Sequence, residues 1–328
     1  MDAPLPSSEG WPFHADERAA QARAGAIAPG GGIRSFMPEQ HRIFFGELTF
    51  LFAAVADDSG WPLATMLTGQ RGFITAPDPV TLQIAGRPAH GDPAAGHFKA
   101  GGETGLLGID FAARRRNRAN GRIVAADETG LRVAVRQSFG NCPQYIQRRA
   151  PDTAQPVAEP SEADAAEPLA SLDLPARALI ETADTFFVAS AARPGQGAAG
   201  GLDMSHRGGR PGFVRIDGET LVIPDFSGNR YFNTLGNLLG EPRAALLFID
   251  FARGDLLQLQ GMVEIDWSGA AGSLIDGAER SWRFHLTRGW RRRGASPLRW
   301  SFIDYSPVTL RTGTWRPASK AAAGRPRG

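Results

Sequence analysis

The chain has 328 residues and a formal net charge of only +2, from 36 lysines and arginines against 34 aspartates and glutamates. This length predicts about two domains, and the charge balance does not favour nucleic acid or a membrane surface as a partner. The sole cysteine, Cys142, excludes an internal disulfide and fits a reducing compartment. The chain has no run of about 18 or more apolar residues, so we expect no membrane span. Charged residues such as Asp16 and Arg18 interrupt the N-terminus, so we expect no signal peptide and a cytoplasmic protein.

The first half of the chain predicts a small β domain. Residues 1–36, rich in Ala, Gly and Pro, predict a flexible arm with a helix over 15–24, and a short helix follows over 37–47. Runs of β-forming residues then alternate with turn residues, which is typical of an antiparallel barrel or sandwich. The predicted strands are 48–56, 63–67, 72–75, 81–84, 106–111, 122–125 and 131–137, in a domain that we expect to span 37–150.

The composition changes between the two halves. Residues 151–171 are rich in Ala, Pro and acidic residues, which predicts a solvated linker. A second domain, 172–316, opens with a predicted helix over 172–182 and a strand over 185–191. The last residues, 317–328, predict a disordered basic tail.

A hairpin is predicted early in the second domain. Its strands are 213–216 and 220–224, both rich in β-forming residues. Asp217 and Gly218 lie between them and are the residue pair that a type I′ turn prefers.

A candidate phosphate site follows the hairpin. Asn229 and Arg230 precede a predicted helix that Asn233 or Thr234 can cap and that ends at Gly240. Free backbone N–H groups, the positive end of the helix dipole and a guanidinium meet there, which suits an anion. The chain has no Gly-rich phosphate-binding loop.

The second half repeats the pattern of the first. Residues 106–112 and 246–252 share Leu-Leu-x-Ile-Asp-Phe-Ala, and other matching blocks lie at the same offset of about 140 residues. We therefore predict two copies of one β domain that pack as a pseudo-dimer. The copies differ at the candidate phosphate site, since His90 stands where the second copy has Arg230.

Several of these segments resemble a known superfamily. The similar segments are 205–214, 221–226, 228–230, 233–237 and 246–251, and 141–146 at the end of the first copy. Together they resemble the pyridoxamine 5′-phosphate oxidase-like superfamily of FMN-binding split barrels, and in particular its predicted flavin-nucleotide-binding proteins. The resemblance covers roughly residues 38–150 and 175–312. It implies a mainly β fold of two tandem split barrels with short helices, and FMN bound in a groove between the barrels.

The resemblance also implies roles for individual residues. The phosphate would be held at Asn229, Arg230, Asn233, Thr234 and Leu235. The flavin ring and ribityl chain would be lined by Phe213, Val214, Pro224 and Asp225. The ring edge would lie near Ser205, His206 and Arg207. The first barrel would cover the flavin with a segment that includes Asn141, Cys142, Tyr145 and Arg148.

The sequence departs from the true oxidase. Asn233-Thr234 stand in place of its Arg-Lys pair, and Glu241-Pro242 replace its Asn-Pro. The resemblance therefore implies a flavin-dependent oxidoreductase of unknown substrate rather than the vitamin B6 reaction itself. NAD(P)H or a redox partner protein would supply electrons. Whether the chain forms a homodimer is left open. The alternatives are a non-catalytic flavin-binding or electron-transfer module and a haem-binding split barrel.

Each candidate residue also has a plainer explanation. His206 is a candidate acid–base group, but the segment around it could be only a strand-end turn. Cys142 is a candidate redox thiol, but a lone cysteine is more often a packing residue. Tyr145 could stack on a flavin or fill a core.

Two further patterns predict no additional site. The arginine runs 114–118 and 291–293 lack interleaved aromatic residues, which favours solvated loops over a nucleic-acid surface. His41, His90 and His97 are not spaced as metal ligands, so we expect no metal site.

Overall fold

The computed structural model describes residues 12–152 and 165–315. The predicted C-terminal tail and most of the predicted linker lie outside these residues. The described helices are α1 (Ala15–Arg23), α2 (Glu39–Glu47), α3 (Leu174–Thr182), α4 (Asn233–Gly240) and α5 (Ala271–Leu274). In the described ranges, no helix combines the length and the apolar composition that crossing a membrane requires.

The first half forms one antiparallel sheet. Its strands are β1 (Phe50–Ala56), β2 (Pro62–Thr68), β3 (Ile74–Asp78), β4 (Thr81–Ile84), β5 (Glu103–Asp110), β6 (Arg115–Asp127) and β7 (Gly130–Asn141). They are hydrogen-bonded in the order β2-β1-β5-β6-β7-β4-β3. The non-consecutive neighbours show crossing connections, as in a Greek-key barrel.

The second half forms a sheet of the same design. After β8 (Arg148–Pro151), its strands are β9 (Glu167–Leu169), β10 (Thr185–Ala191), β11 (Leu202–Gly208), β12 (Arg215–Asp217), β13 (Thr220–Phe226), β14 (Arg243–Ile249), β15 (Leu256–Asp266) and β16 (Ala278–Arg292). The order β11-β10-β14-β15-β16-β13-β12 matches that of the first sheet strand for strand, and β9 adds to β16. The predicted fold class, mainly β with two split barrels in tandem, is confirmed. The domain boundaries stay a prediction.

A small third sheet connects the halves. β17 (Trp300–Asp304), which follows the second sheet, pairs with β8, which follows the first. Arg114 at the start of β6 donates to the backbone oxygens of Ile146 and Tyr305 and pairs with the Asp304 carboxylate. Each half is thus hydrogen-bonded to a segment that ends the other.

The central strands are apolar on both faces because each face meets a different core. In β1, Leu51 and Val55 pack into the core of the first half. Phe52, on the opposite face, packs into a core that contains residues of both halves. An antiparallel strand with one solvated face would instead alternate apolar and polar residues. The unbroken apolar run of β1 therefore reflects burial between two sheets.

The shared core is centred on two phenylalanines. Phe52 and Phe187 stack with their ring centroids 3.6 Å apart and an interplanar angle of 21°. They hold equivalent places, since Phe52 pairs with Leu107 in β5 and Phe187 pairs with Leu247 in β14. A residue that contacts its own equivalent marks a two-fold relation between the halves.

The structure corrects the reading of both arginine runs as solvated loops. Arg118 lies in β6 and is 8% exposed, and Arg292 lies in β16 and is 2% exposed. The physical reason is the packing of the halves. Carboxylates from other segments meet these guanidiniums, namely Asp203 for Arg118 and Asp92 for Arg292.

The N-terminal arm also differs from expectation within residues 12–36. The predicted helix exists as α1, but it packs against α4 rather than lying loose. Phe13 is 1% exposed and contacts Tyr231 edge to face. Arg34 forms a β-bridge with Ser138 of β7. Long-range apolar contacts and hydrogen bonds thus order this segment.

Two smaller expectations are corrected as well. The hairpin turn lies one residue later than predicted, because Asp217 pairs with Thr220 and leaves Gly218 and Glu219 as the loop. Gly218 alone in this turn has a positive φ, of 63°. In the predicted linker, residues 167–169 form β9 rather than solvated chain, since they pair with β16.

We expect Phe52→Ala to destabilise the whole molecule. The substitution removes a buried ring from the shared core, and such changes cost about 3–5 kcal/mol. Denaturant unfolding of the variant should show this loss in the free energy of unfolding.

Phe302→Ala is the matched control, because the Phe302 side chain is 48% exposed. It should cost much less. Equal losses in the two variants would contradict a shared core that depends on the Phe52–Phe187 stack.

Candidate functional site

A groove lies between the two halves, where β6 and the chain after β7 face β11, β13 and α4. Two adjoining cavities form it, with empty volumes of about 450 and 570 Å³ that include space open to solvent. Both are lined by Arg118, Arg207, Phe226, Gly228 and Asn229, so they are parts of one groove.

One end of the groove is formed by the connection between β13 and α4. It is lined by Asn229, Arg230, Asn233, Thr234 and Leu235, which are all of the residues predicted for the phosphate. The Asn229 side chain accepts a hydrogen bond from the backbone N–H of Tyr231 at 3.1 Å. Arg230 is exposed and forms no ion pair with any described residue.

The helix cap differs from the prediction. Phe232, in a left-handed conformation with φ of 60°, precedes α4 and provides no side-chain cap. Asn233 instead donates to a carboxylate oxygen of Glu17 in α1, and Thr234 donates to the Ser205 hydroxyl at 2.8 Å. Both side chains tie α4 to other elements of the structure.

Arg118 crosses from the first half to the second. Its guanidinium donates to the Ser205 hydroxyl and, at 3.4 Å, to an Asp203 carboxylate oxygen. Asp203 also accepts from the Asn237 side chain at 3.1 Å. The floor of the groove is therefore a polar network that contains residues of both halves.

A second network lies beside it. Asp225 on β13 pairs with Arg280 on β16 and, at 3.4 Å, with Arg207 on β11. The Asp225 carboxylate is thus shared by two guanidiniums. The Arg280 guanidinium lies over the Phe232 ring, 5.0 Å from its centroid.

The other end of the groove lies beside the chain that follows β7. It is lined by Asn141, Cys142, Tyr145, His206, Phe213 and Pro224. The Tyr145 hydroxyl donates to the backbone oxygen of Ser227 at 2.8 Å, and its ring lies 5.4 Å from that of Phe226. Burial raises the pKa of Tyr145 to about 12, so the phenol keeps its proton at neutral pH.

His206 is neutral at physiological pH. Burial, followed by the charges of Arg116, Arg149 and Arg207, holds its pKa well below the usual 6.5. Arg116 donates to its Nδ1 at 2.9 Å. Because a guanidinium can only donate, Nδ1 accepts and the His206 proton lies on Nε2. At neutral pH this side chain offers a hydrogen-bond donor rather than an acid.

Several buried polar atoms of the groove lack a partner within the described residues. They are the Nε atoms of Arg116, Arg118 and Arg207, Nε2 of His206 and Oδ1 of Asn141. Buried polar groups are nearly always hydrogen-bonded, so these five atoms call for an explanation. Four of these five atoms are donors, which points to a ligand rich in acceptors.

The charge of the groove agrees with this reading. Its lining contains the arginines 116, 118, 207, 230 and 280 against the carboxylates of Asp225 and Glu279, a balance of 5 − 2 = +3. Asp203, behind Arg118, offsets one further charge. The remaining charge of about +2 suits a dianion such as a phosphate monoester.

Strained backbone is also concentrated in the groove. Within residues 12–152 and 165–315, the non-glycine residues with positive φ are Arg114, Tyr145, Arg230 and Phe232. The last three line the groove. Such conformations cost about 1–3 kcal/mol and are most often retained at functional sites.

Two of the predicted site residues lie elsewhere. Val214 is 2% exposed in the core of the second half. Arg148 pairs with Asp304 at 2.7 Å, in the small sheet that joins the halves. The other predicted residues line the groove or, like Ser205, lie directly behind it.

Sequence reasoning missed the arginines that come from outside the motif segments. Arg116 and Arg118 were hidden in a charged run, and Arg280 lies 50 residues beyond its neighbour Arg230. The available signal was the alternation of Arg116 and Arg118, which places both side chains on one face of a strand.

α1 closes the groove behind α4. The Glu17 side chain is 2% exposed and accepts hydrogen bonds from the Asn233 side chain and from the backbone N–H of His14. A side chain on Gly236 would collide with Glu17, since its Cβ would lie 2.5 Å from the Glu17 Cα atom. The two helices therefore pack with their backbones close together.

The chain matches no protein-family model and no curated protein. Among solved structures, it is similar to a Clostridium acetobutylicum protein related to general stress protein 26, of the pyridoxinephosphate oxidase family, at 16% identity and a TM-score of 0.29. That likeness covers 40% of this chain and 93% of the other.

Two further solved structures are similar. A FAD-binding protein from Mesorhizobium loti is 13% identical, with a TM-score of 0.25, over 38% of this chain and 96% of its own. HupZ of Group A Streptococcus is 17% identical, with a TM-score of 0.26, over 33% of this chain and 84% of its own. At these values the likenesses carry no argument about ligands, and the strand order of the chain itself defines its fold class.

We expect the pH dependence of stability to change in Glu17→Gln. Burial, followed by the negative charge of Asp203, raises the pKa of Glu17 from 4.5 to about 8. The folded protein holds this proton more tightly than the unfolded chain does, so the contribution of Glu17 to stability falls as the pH rises from about 4.5 to about 8. The glutamine side chain of the variant cannot titrate, so this fall should disappear.

The measurement is the difference in melting temperature between wild type and variant at several pH values. The buried His41 and His206 add the opposite slope below pH 6.5, and this contribution is the same in both proteins. Parallel curves from pH 5 to pH 8 would show that Glu17 does not keep its proton.

Proposed function

We propose that the groove binds FMN and that the protein is a flavoprotein of the split-barrel type, a flavin-dependent oxidoreductase by function. One observation carries this proposal: among the described residues, the Nε atoms of Arg116, Arg118 and Arg207 are buried without a hydrogen-bond partner, at a groove of positive charge. Arg118 meets Asp203 only at 3.4 Å, and Arg207 shares Asp225 with Arg280, so positive charge remains in the groove. An anionic ligand would supply the missing charge and acceptors.

The phosphate would be held at the end of the groove near α4. Arg230 lies there and forms no ion pair within residues 12–152 and 165–315, and Thr234 and Arg207 line the same cavity. The first turn of α4 adds the positive end of its dipole. These groups fit a phosphate monoester in charge and in hydrogen-bond donors.

The flavin ring would lie at the other end of the groove, near Tyr145. Tyr145, Pro224 and Phe226 supply flat or apolar surfaces there. Arg116 and the Nε2–H of His206 supply donors for the oxygen and nitrogen acceptors of the ring. A cation and a neutral donor beside the ring would favour negative charge on it, which is how a protein adjusts the electronics of a flavin.

A bound flavin would supply hydride or electron transfer, with NAD(P)H or a redox partner protein as the source of electrons. The chain's own residues would bind and orient it. His206, being neutral, would donate a hydrogen bond rather than act as a general acid near pH 7. The half-buried thiol of Cys142 lies at the ring end, where a substrate would meet it.

The two halves also support a proposal about origin. We propose that residues 37–150 and 172–316 are duplicated copies of one domain. The identical strand order and the contact between equivalent residues Phe52 and Phe187 support this. A single chain then provides both walls of a groove that two chains would otherwise form.

Arg230→Ala tests the phosphate assignment. Loss of one charge-assisted contact, about 1.5–3 kcal/mol, should weaken FMN binding roughly 10- to 100-fold. Titration of the flavin-free protein with FMN, followed by fluorescence, measures this. Arg253→Ala is the matched control, because Arg253 is a surface arginine with a 76% exposed side chain and does not line the groove.

Unchanged FMN affinity in Arg230→Ala would show that the phosphate does not lie at this end of the groove. The absorbance spectrum of the purified wild type separates the ligand classes: flavin bands support the proposal, and a Soret band would support haem instead. Anaerobic reduction by NADPH, followed by a screen of electron acceptors, then separates an oxidoreductase from an electron carrier.

A further inference from the structure

Because the sheets share one strand order, every position in the groove has an equivalent in the other half. Phe52 pairs with Met66 as Phe187 pairs with His206, so Met66 is the equivalent of His206. By the same register, Thr65 is the equivalent of Ser205, one residue earlier. A second groove, related to the first by the approximate two-fold axis, should therefore lie near Thr65.

The opposite wall of that second groove follows from β15. Gln258 pairs with Leu247 as Arg118 pairs with Leu107, so Gln258 stands where the first groove has Arg118. Leu256 likewise stands in the place of Arg116, and Leu67 in the place of Arg207. The second groove has thus lost three of the guanidiniums that line the first.

The carboxylate of Asp92 occupies the space between Thr65 and Gln258. It accepts hydrogen bonds from the Thr65 hydroxyl, from the Gln258 side chain at 3.1 Å and from the backbone N–H of Ala94 at 2.8 Å. Arg292 forms an ion pair with the same carboxylate at 2.7 Å. The Asp92 side chain is 0% exposed.

We propose that Asp92 stands in the second groove where a ligand's anionic group would stand, so that the chain binds one ligand where a symmetric pair of barrels would bind two. Thr65 and Gln258 contact Asp92, and their equivalents Ser205 and Arg118 contact each other at the floor of the open groove. The identity of the ligand rests on the proposed function. The closed anion site does not.

The stoichiometry of the wild type is the first test. Saturation with FMN should give one bound flavin per chain, measured by equilibrium dialysis. Two per chain would overturn the inference. If no flavin binds, the proposed flavin is refuted, and the second test decides on the anion site.

The second test opens the site. In Asp92→Ala the Arg292 cation, the Thr65 hydroxyl and the Gln258 amide lose their common acceptor, and the space of a carboxylate is vacated. Formate, as the probe, should bind there and stabilise the folded variant. At ten times its dissociation constant, it should raise the folding equilibrium constant about 11-fold.

Asp92→Asn is the matched control. Its amide occupies the same space without the charge, so formate should stabilise it no more than it stabilises wild type. The readout is melting temperature against formate concentration for all three proteins. An Asp92→Ala variant that folds and gains no more from formate than wild type does would refute the closed anion site. If it does not fold, the wild-type stoichiometry still decides.

Discussion

The structure depends on the burial of one sheet face from each half against the other. The stacked rings of Phe52 and Phe187 are at the centre of this contact, and the residues around them come from both halves. Burial of apolar surface is the main favourable term in such an association. Since this contact sets the two sheets at a fixed distance, it also sets the width of the grooves at its margins. The polar residues of β6 reach the second half only because β1 and β10 meet.

Placing arginines at that margin has an energetic consequence. Arg116 and Arg118 leave water when the halves associate, and a buried cation needs compensation in charge and in hydrogen bonds. Asp203 compensates Arg118 in part, and the neutral His206 accepts from Arg116 without offsetting its charge. The positive charge that is left over is therefore a property of the assembled halves and of neither half alone. Under the proposed function, an anionic ligand would complete the compensation.

Local patterns in the sequence were enough to predict much of the fold. The strands over 81–84 and 185–191 have the predicted bounds, because β-branched and aromatic residues there are flanked by turn residues. The bounds of β6 were missed because a run of arginines resembles exposed chain when the carboxylates that meet it lie about 85 residues further on. The helix α1 was predicted, but its packing against α4 was not, since Glu17 and Asn233 are separated by 216 residues. Contacts at that separation leave no periodicity in a short window.

The two grooves show two ways of meeting the same electrostatic constraint. Both contain a hydroxyl on the second strand of the sheet, Thr65 in one and Ser205 in the other, and both face a long polar side chain from the opposite half. In one groove the cation and its carboxylate, Arg292 and Asp92, belong to the same chain and neutralise each other. In the other the cations outnumber the carboxylates. A chain that contains both barrels can differ between its two grooves, whereas a homodimer of identical barrels cannot, because every substitution would appear in both. Joining the halves in one chain is thus what allows one groove to be closed by an internal acid while the other keeps its charge for a ligand.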